Sequence, residues 1–270
     1  ETGSTSSTSY RYYNPRMRMG RPDERIWFGF GSRKTINDET LSFVKTDYYH
    51  EHCSTRLNPD CSFLRCPDYG IDLRGLIKKE ELSCYINGEK KLFTQSNYHY
   101  TVREGREADK HFHRTYRTKK ARDIKREYSG TGTCKTFSTD YLSYDDWGNL
   151  TKKRDNGDES TPLDDCETTI TYINDEAAHI SVIQNIHTEC YTLAGDWGPA
   201  TEERFYYDNQ PAGYIGGKGT LTREEIKAGE TTYIATGYDH DEYGNIIRTT
   251  DPEGNVSSIT YDDEYHSYII

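Results

Sequence analysis

A short turn sequence repeats near the end of the chain and most constrains how it can fold. Glu242-Tyr-Gly-Asn245 and Pro252-Glu-Gly-Asn255 are two copies of it, ten residues apart. Glycine adopts a positive φ without steric cost and asparagine tolerates one, so each Gly-Asn pair can reverse the chain sharply. The segments that follow, Ile246 to Thr250 and Val256 to Tyr261, are rich in β-branched and aromatic residues. The repeat therefore predicts short strands joined by turns of one kind.

A third copy of this turn lies upstream, in Tyr144-Asp-Asp-Trp-Gly-Asn-Leu150. A small unit that recurs along a chain is typical of repeat architectures, in which neighbouring units share one continuous surface. We expect the architecture to depend on the glycines and asparagines of the three turns. They are Gly148, Asn149, Gly244, Asn245, Gly254 and Asn255.

The tyrosine content decides between a folded sheet and a disordered chain. Apolar residues make up only 33% of the sequence, and the mean hydropathy is −0.99, values that alone favour disorder. The chain nevertheless contains 24 tyrosines, mostly at strand-like positions, and their amphipathic rings can cover a sheet. Because helical periodicity is also scarce, we predict an all-β fold, an antiparallel Tyr-rich meander.

Several local elements can be predicted as well. Asn87-Gly88 lies between two strand-like segments and favours a type I′ hairpin turn. Thr168 to Ile173 and Ile180 to Tyr191 are a predicted strand pair. Residues 104–126 are highly charged and admit a helix, although the Thr and Tyr residues among them favour a strand.

The turn sequences carry a family resemblance. Tyr144 to Leu150 resembles the YD (or RHS) repeat, and Tyr238 to Tyr268 resembles the B component of the insecticidal Tc toxin complexes, just before its main repeats. The similarity extends thinly to Tyr10–Arg16 and Phe28–Gly31. It implies a segment of a YD-repeat β-shell, in which a long sheet coils into a hollow container. Teneurin ectodomains and salivary-gland surface proteins of mosquitoes are eukaryotic proteins of the same kind.

The sequence suggests three regions. Residues 1–9 begin with Glu1-Thr-Gly3, which resembles a secretion-vector remnant, and are rich in Ser and Thr, so we predict a disordered tag or linker. Residues 10–143 are predicted to be a β meander with a Cys-rich loop at 50–79. Residues 144–270 are predicted to be the YD-repeat-like β segment.

The cysteine count is typical of an extracellular protein, in which thiols form disulfides. His50-Glu-His-Cys53 and its neighbouring cysteines form an alternative metal cluster, but their spacing matches no standard zinc site. An odd count leaves one thiol free or paired outside this chain. The disulfide candidates are Cys53, Cys61, Cys66, Cys84, Cys134, Cys166 and Cys190.

Two glycosylation sequons also favour a secreted or cell-surface protein. Asn149-Leu-Thr and Asn255-Val-Ser both lie at repeat turns, where an acceptor would be exposed. The sequence has no apolar segment long enough to span a membrane.

The net charge of −11 argues against nucleic acid as a partner of the whole chain. A basic stretch between Arg103 and Arg126 nevertheless predicts a surface for sulfated glycans, with a solvated charged strand as the alternative. Its candidate residues are Arg114, Arg117, Lys119, Lys120, Arg122, Lys125 and Arg126.

The sequence contains no signature of catalysis or of a cofactor site. A calcium loop at Asp239 to Thr250 fails because Tyr243 and Thr250 replace required oxygen ligands. Asp251-Pro-Glu-Gly254 resembles a self-cleavage signature, but it continues into an ordinary repeat turn. We therefore expect no enzyme and no cofactor.

The resemblance implies a structural function: part of the wall of a toxin-like shell that encloses other polypeptide, with the rest of its own longer chain as partner. The alternative is an extracellular module that binds a cell-surface protein or a sulfated glycan. Its contact surfaces would be the loop 50–79 and the basic stretch.

Overall fold

The computed structural model describes residues 7–18, 26–37, 40, 42–49, 75–104, 116–129 and 133–270. Within these ranges the chain forms fifteen β-strands and no helix. The strand pairs that have a defined register are all antiparallel. The predicted all-β, antiparallel fold class is confirmed. The described ranges also lack any helix with the length and apolarity that a membrane crossing needs.

The strands are β1 (Thr8–Arg18), β2 (Ile26–Asn37), β3 (Ser42–Tyr48), β4 (Ile77–Ile86), β5 (Glu89–Glu104), β6 (Tyr116–Tyr128), β7 (Cys134–Tyr144), β8 (Leu150–Asp158), β9 (Cys166–Asp175), β10 (Ile180–Tyr191), β11 (Trp197–Tyr207), β12 (Leu221–Lys227), β13 (Tyr233–His240), β14 (Ile246–Thr250) and β15 (Val256–Ser258).

The chain divides into two compact units. The first comprises Glu1–Tyr141 and Asp155–Pro162, and the second comprises Leu142–Arg154 and Leu163–Ile270. Within each unit a strand lies beside the strands that precede and follow it in the sequence, which is the order of a meander. The division into 10–143 and 144–270 stays a prediction.

In the first unit, two strands extend into the segments that the sequence predicts to be irregular, residues 1–9 and 50–79. β1 includes Thr8 and Ser9, because Thr8 pairs with Asn37 of β2. β4 begins at Ile77, which pairs with Tyr48, so the predicted loop 50–79 ends sooner. Residues 50–74 lie outside the described part of the chain.

The two local predictions for the first unit are resolved by backbone geometry and pairing. Asn87 and Gly88 have φ values of 52° and 81°, the positive pair that a type I′ turn requires, so the hairpin between β4 and β5 is confirmed. The described part of the charged stretch is a strand, since β6 pairs with β5 from Thr94↔Glu127 to Glu104↔Tyr116. Residues 105–115 lie outside the description.

In the second unit, β9 and β10 form the predicted strand pair. Their register extends from Asp175↔Ile180 to Cys166↔Cys190. The strands β10 to β15 then pair in sequence order.

Few side chains are fully buried in either unit. Among the side chains that the structure describes, the buried apolar ones are Phe43 in the first unit and Tyr207 in the second. The remaining buried side chains carry hydroxyl groups: Ser32, Thr46, Ser83, Ser138 and Thr168. A sheet in an ordinary domain buries an apolar face against a second layer. The described strands instead leave large apolar side chains exposed, such as the cross-strand pair Ile226 and Ile234. Every residue of β8 is half-buried.

Candidate functional site

The three predicted turns share one geometry, built from an Asp, a Gly and an Asn. In the first, the Asp145 N–H donates to the Asn149 carbonyl (3.0 Å), and the Gly148 N–H donates to the Asp145 carbonyl (3.1 Å). The Asp145 carboxylate accepts from the Asn149 backbone N–H (2.8 Å) and from its side-chain amide (3.0 Å). Gly148 has φ +92°, a conformation that L side chains disfavour. We call this five-residue unit a clasp.

The same clasp recurs in Asp241–Asn245 and Asp251–Asn255. The carboxylates of Asp241 and Asp251 accept from the backbone N–H of the asparagine at 2.9 and 2.7 Å and from its amide at 2.9 and 2.8 Å. The two clasp glycines have φ values of +89° and +87°. The aspartates are the residues that the sequence analysis left out, although each precedes its asparagine by four positions.

A fourth, divergent clasp lies at Thr192–Asp196, where Thr and Asp replace Asp and Asn. The Thr192 N–H donates to the Asp196 carbonyl (2.8 Å), and the Gly195 N–H donates to the Thr192 carbonyl (3.0 Å). The Thr192 hydroxyl donates to the Asp196 carboxylate (2.5 Å). The sequence signal for it was the spacing of Gly195 after Tyr191, which matches Gly148 after Tyr144.

Two clasp asparagines also contact the next turn at the same end of the strands. The second amide hydrogen of Asn149 is donated to the Ser181 hydroxyl (2.7 Å), at the start of β10. The amide of Asn245 likewise donates to the His266 carbonyl (2.7 Å). The imidazole of His266 stacks on the ring of Tyr243, with 4.0 Å between ring centroids. Each contact therefore connects two turns of the second unit that lie at the same end of the strands.

Single carboxylates organise two longer loops. Asp208 accepts from the backbone N–H groups of Gly216, Lys218 and Gly219 through one oxygen and of Thr220 through the other, at 2.8–3.1 Å. Asp262 accepts from three backbone N–H groups of the loop that follows it, at 2.6–3.0 Å. An acceptor-only carboxylate can satisfy several donors at once, so each aspartate fixes a whole loop.

These contacts lower the pKa values of the turn carboxylates. Backbone N–H donors, with Tyr265 first, lower the pKa of Asp262 to about 2. The Asn255 side-chain amide is the largest cause of the lowered pKa of Asp251. At Asp145, desolvation opposes the change, but hydrogen bonds from Asn149 outweigh it and the pKa is lowered. All three carboxylates are therefore more acidic in the folded chain than in the unfolded chain.

We expect the chain to lose stability in acid over a defined range. A carboxylate whose pKa is lowered by folding contributes stability above its unfolded pKa of about 4 and loses it as the pH falls through its folded pKa. The midpoint of urea unfolding should thus be constant from neutral pH to about 5 and fall between about 4 and 2. An Asp251→Asn variant should show a weaker fall. A midpoint that stays constant down to pH about 2 would contradict the turn contacts.

The basic stretch is extensively paired where it is described. The Arg122 guanidinium lies 3.4 Å from Asp140 and 2.5 Å from Glu159. The Lys120 ammonium lies 2.6 Å from Asp123. Pairing of this kind weakens the single-sign field that polyanion binding needs.

The remaining described cations of β6 have partners as well. Lys125 lies 2.6 Å from Glu127, and Arg126 donates to the Gln95 amide oxygen (3.4 Å). Lys119 also has an interaction partner. Arg114 and the side chain of Arg117 lie outside the description. The polyanion surface stays a prediction.

One face of the second unit carries stacked Arg–aromatic–Glu groups. Arg204 lies over the Tyr233 ring, 4.0 Å from its centroid, and donates to Glu202 (2.8 Å). Arg223 lies over the Tyr206 ring at 4.1 Å and pairs with Glu225 at 2.8 Å, a second group of the same kind. Such contacts let charged residues cover a sheet without an apolar layer above them.

The cysteines behave differently from one another. Cys166 and Cys190 form a disulfide between β9 and β10. Cys84 is free and half-buried, and Cys134 is free and exposed. The other candidates, Cys53, Cys61 and Cys66, lie outside the described residues, as does the alternative metal cluster at 50–53.

The two sequon asparagines have different surroundings. Asn149 is half-buried and donates through its amide to both Asp145 and Ser181. Asn255 is exposed and donates to Asp251. Glycosylation at either residue stays a prediction.

In the described ranges no three His, Cys, Asp or Glu side chains are placed to hold a metal ion.

Comparison with known proteins gives a likeness of fold. No family model matches the chain, and no curated protein matches its sequence. Among solved structures, TcdB2–TccC3 with Cdc42 matches with a TM-score of 0.57 and 10% identity, over 94% of this chain and 21% of that one. A Tc holotoxin pore from Photorhabdus luminescens matches with a TM-score of 0.59 and 11% identity, over 94% of this chain and 19% of that one.

A third match is TcdB2–TccC3 without its hypervariable C-terminal region, with a TM-score of 0.59 and 10% identity, over 94% of this chain and 21% of that one. The chain has a Tc-toxin-like fold. It spans about a fifth of the length of the chains it matches. The resemblance to the eukaryotic YD-repeat proteins stays a prediction.

Proposed function

We propose that the chain is a structural, non-catalytic segment of the wall of a hollow β-shell in a secreted, toxin-like protein. The shell encloses other polypeptide, and the partner of this segment is the rest of its own longer chain. The observation that carries the proposal is that, in the described strands of each unit, few side chains are fully buried and large apolar ones stay exposed.

A wall separates two aqueous compartments, so both of its faces must tolerate water. The half-buried pattern of β8 and the hydroxyl-bearing buried residues fit that requirement. Stability must then come from strand pairing, from ion pairs and from turns that close on themselves, because the described side chains form no large apolar core. The clasps and the turn-to-turn contacts of Asn149 and Asn245 supply such interactions.

The likeness to Tc toxin chains supports the same proposal. One of those structures is by name a Tc holotoxin pore, and this chain shares the fold of about a fifth of each matched chain. The Cys166–Cys190 disulfide supports a secreted location, since disulfides persist in oxidising compartments.

The heat-capacity change of unfolding, measured by calorimetry on the purified chain, tests the proposal that it is a wall segment. A globular protein of 270 residues unfolds with a heat-capacity increase of about 3–4 kcal/mol/K, because its core becomes hydrated. A wall that buries little apolar surface should give a clearly smaller increase. A value in the ordinary range would show a conventional core and would overturn the proposal.

The alternative function is an extracellular module that binds a cell-surface protein or a sulfated glycan, and the disulfide favours it equally. Retention on a heparin column and saturable binding to cells distinguish the two functions. A wall segment should elute at low salt and bind cells without saturation. Saturable binding that is lost when residues 50–79 are replaced would favour the alternative.

A further inference from the structure

We propose that Asn87 is a site of spontaneous deamidation, and that the fold slows the same reaction at the second Asn-Gly sequence, Asn156-Gly157. The reaction involves one turn and one strand, and it is independent of the proposed function.

Asn87 and Gly88 form the exposed tip of the β4–β5 hairpin, closed by the Ile86↔Glu89 pair. A Cβ atom placed on Gly88 would meet no atom within 4 Å, so the space around its backbone is open. Within the described part of the chain, the Asn87 amide has no hydrogen-bond partner. The side chain is therefore free to rotate toward the nitrogen of the next residue.

Asn156 lies in β8 and is held in place. Its amide donates to the Ser138 hydroxyl (3.1 Å) and to the Asp140 carboxylate (2.8 Å), so both amide hydrogens are engaged. The side chain is half-buried, and Ser138 is buried. Asn156 must break two hydrogen bonds, one of them to a charged group, before it can approach Gly157.

The reaction needs only water as a co-reactant. The Gly88 nitrogen attacks Cγ of Asn87, the new N–Cγ bond forms, and the Cγ–Nδ2 bond breaks. Nδ2 leaves as ammonia and takes the proton from the Gly88 N–H. Water then opens the succinimide at one of its two carbonyls and gives aspartate or isoaspartate.

The modification would change the hairpin in two ways. It adds a negative charge at the tip, beside Glu89, which already pairs with Lys91 at 2.8 Å. Isoaspartate also inserts a methylene group into the backbone of a two-residue turn. Because loop length fixes hairpin register, the pairing of β4 with β5 should loosen at this end.

Peptide mapping by mass spectrometry tests the proposal after the folded chain is kept at mildly alkaline pH. The Asn87 peptide should convert at least about tenfold faster than the Asn156 peptide, given two amide hydrogen bonds at the slower site. In concentrated urea the two rates should become similar. Ser138→Ala, which removes one contact of Asn156, should accelerate conversion at Asn156 and leave Asn87 unchanged.

Equal rates in the folded chain, or faster conversion at Asn156, would overturn the proposal. An Asn87→Asp chain serves as the marker for the aspartate product and separates it from isoaspartate. It also shows whether the added charge alone changes the stability of the hairpin.

Discussion

Replacing Gly244 by valine is expected to lower the free energy of unfolding by about 2 kcal/mol, because a β-branched residue strongly disfavours positive φ. Gly244 has φ +89°. A Cβ atom there would meet nothing within 4 Å, so the loss comes from the backbone and not from a clash. Urea unfolding followed by circular dichroism measures the change.

Gly237→Val is the matched control for this experiment. Gly237 lies in β13, a few residues from the same clasp, and its added Cβ would meet only Thr250 at 3.9 Å, an ordinary contact. Its φ is not in the positive range, so the substitution should change stability by less than about 1 kcal/mol. Equal effects of the two substitutions would show that the clasp does not depend on the backbone conformation of Gly244.

Removing the disulfide is expected to have the largest effect of any change in the second unit. Cys166 and Cys190 are 24 residues apart in sequence, and cross-linking a loop of this length removes chain entropy from the unfolded state worth about 3 kcal/mol. The double substitution of both cysteines by serine should therefore lower the free energy of unfolding by about 3 kcal/mol. Unfolding with and without a reducing agent should give the same difference in the parent chain.

The free cysteines provide the control for that comparison. Cys84→Ser and Cys134→Ser should leave the effect of the reducing agent unchanged, since neither thiol is paired. If the parent chain unfolds at the same urea concentration in oxidising and reducing buffer, the Cys166–Cys190 bond does not stabilise the fold.

The elements that could be predicted from sequence are those determined within a few residues. The Asn87-Gly88 hairpin follows from the positive φ that both residues accept. The glycines of the clasps also have the backbone conformation that their turns require. The fold class follows because segments rich in β-branched and aromatic residues are separated by turn residues over most of the chain.

Most of the remainder depended on residues that are distant in sequence. Nothing near Asn149 indicates that Ser181 accepts its second amide hydrogen, because that contact requires the pairing of β8, β9 and β10. The Thr192–Asp196 clasp escaped detection because a hydroxyl replaces the carboxylate while the backbone contacts are kept. The disulfide could not be chosen among seven cysteines without knowing that Cys166 and Cys190 are opposite each other.

The self-contained hydrogen bonding of each clasp has a consequence for how such a chain can evolve. A turn whose backbone hydrogen bonds close within five residues makes few demands on the strands that enter and leave it. Its remaining contacts, such as those of Asn149 and Asn245, are single hydrogen bonds to another turn. Duplicating or deleting a pair of strands with their turn would leave the hydrogen bonds within the flanking clasps intact. Sequence drift can likewise replace Asp and Asn by Thr and Asp, as at Thr192 and Asp196, without changing the connection. The length of the sheet can therefore vary in steps of one hairpin, while its local design is inherited unchanged.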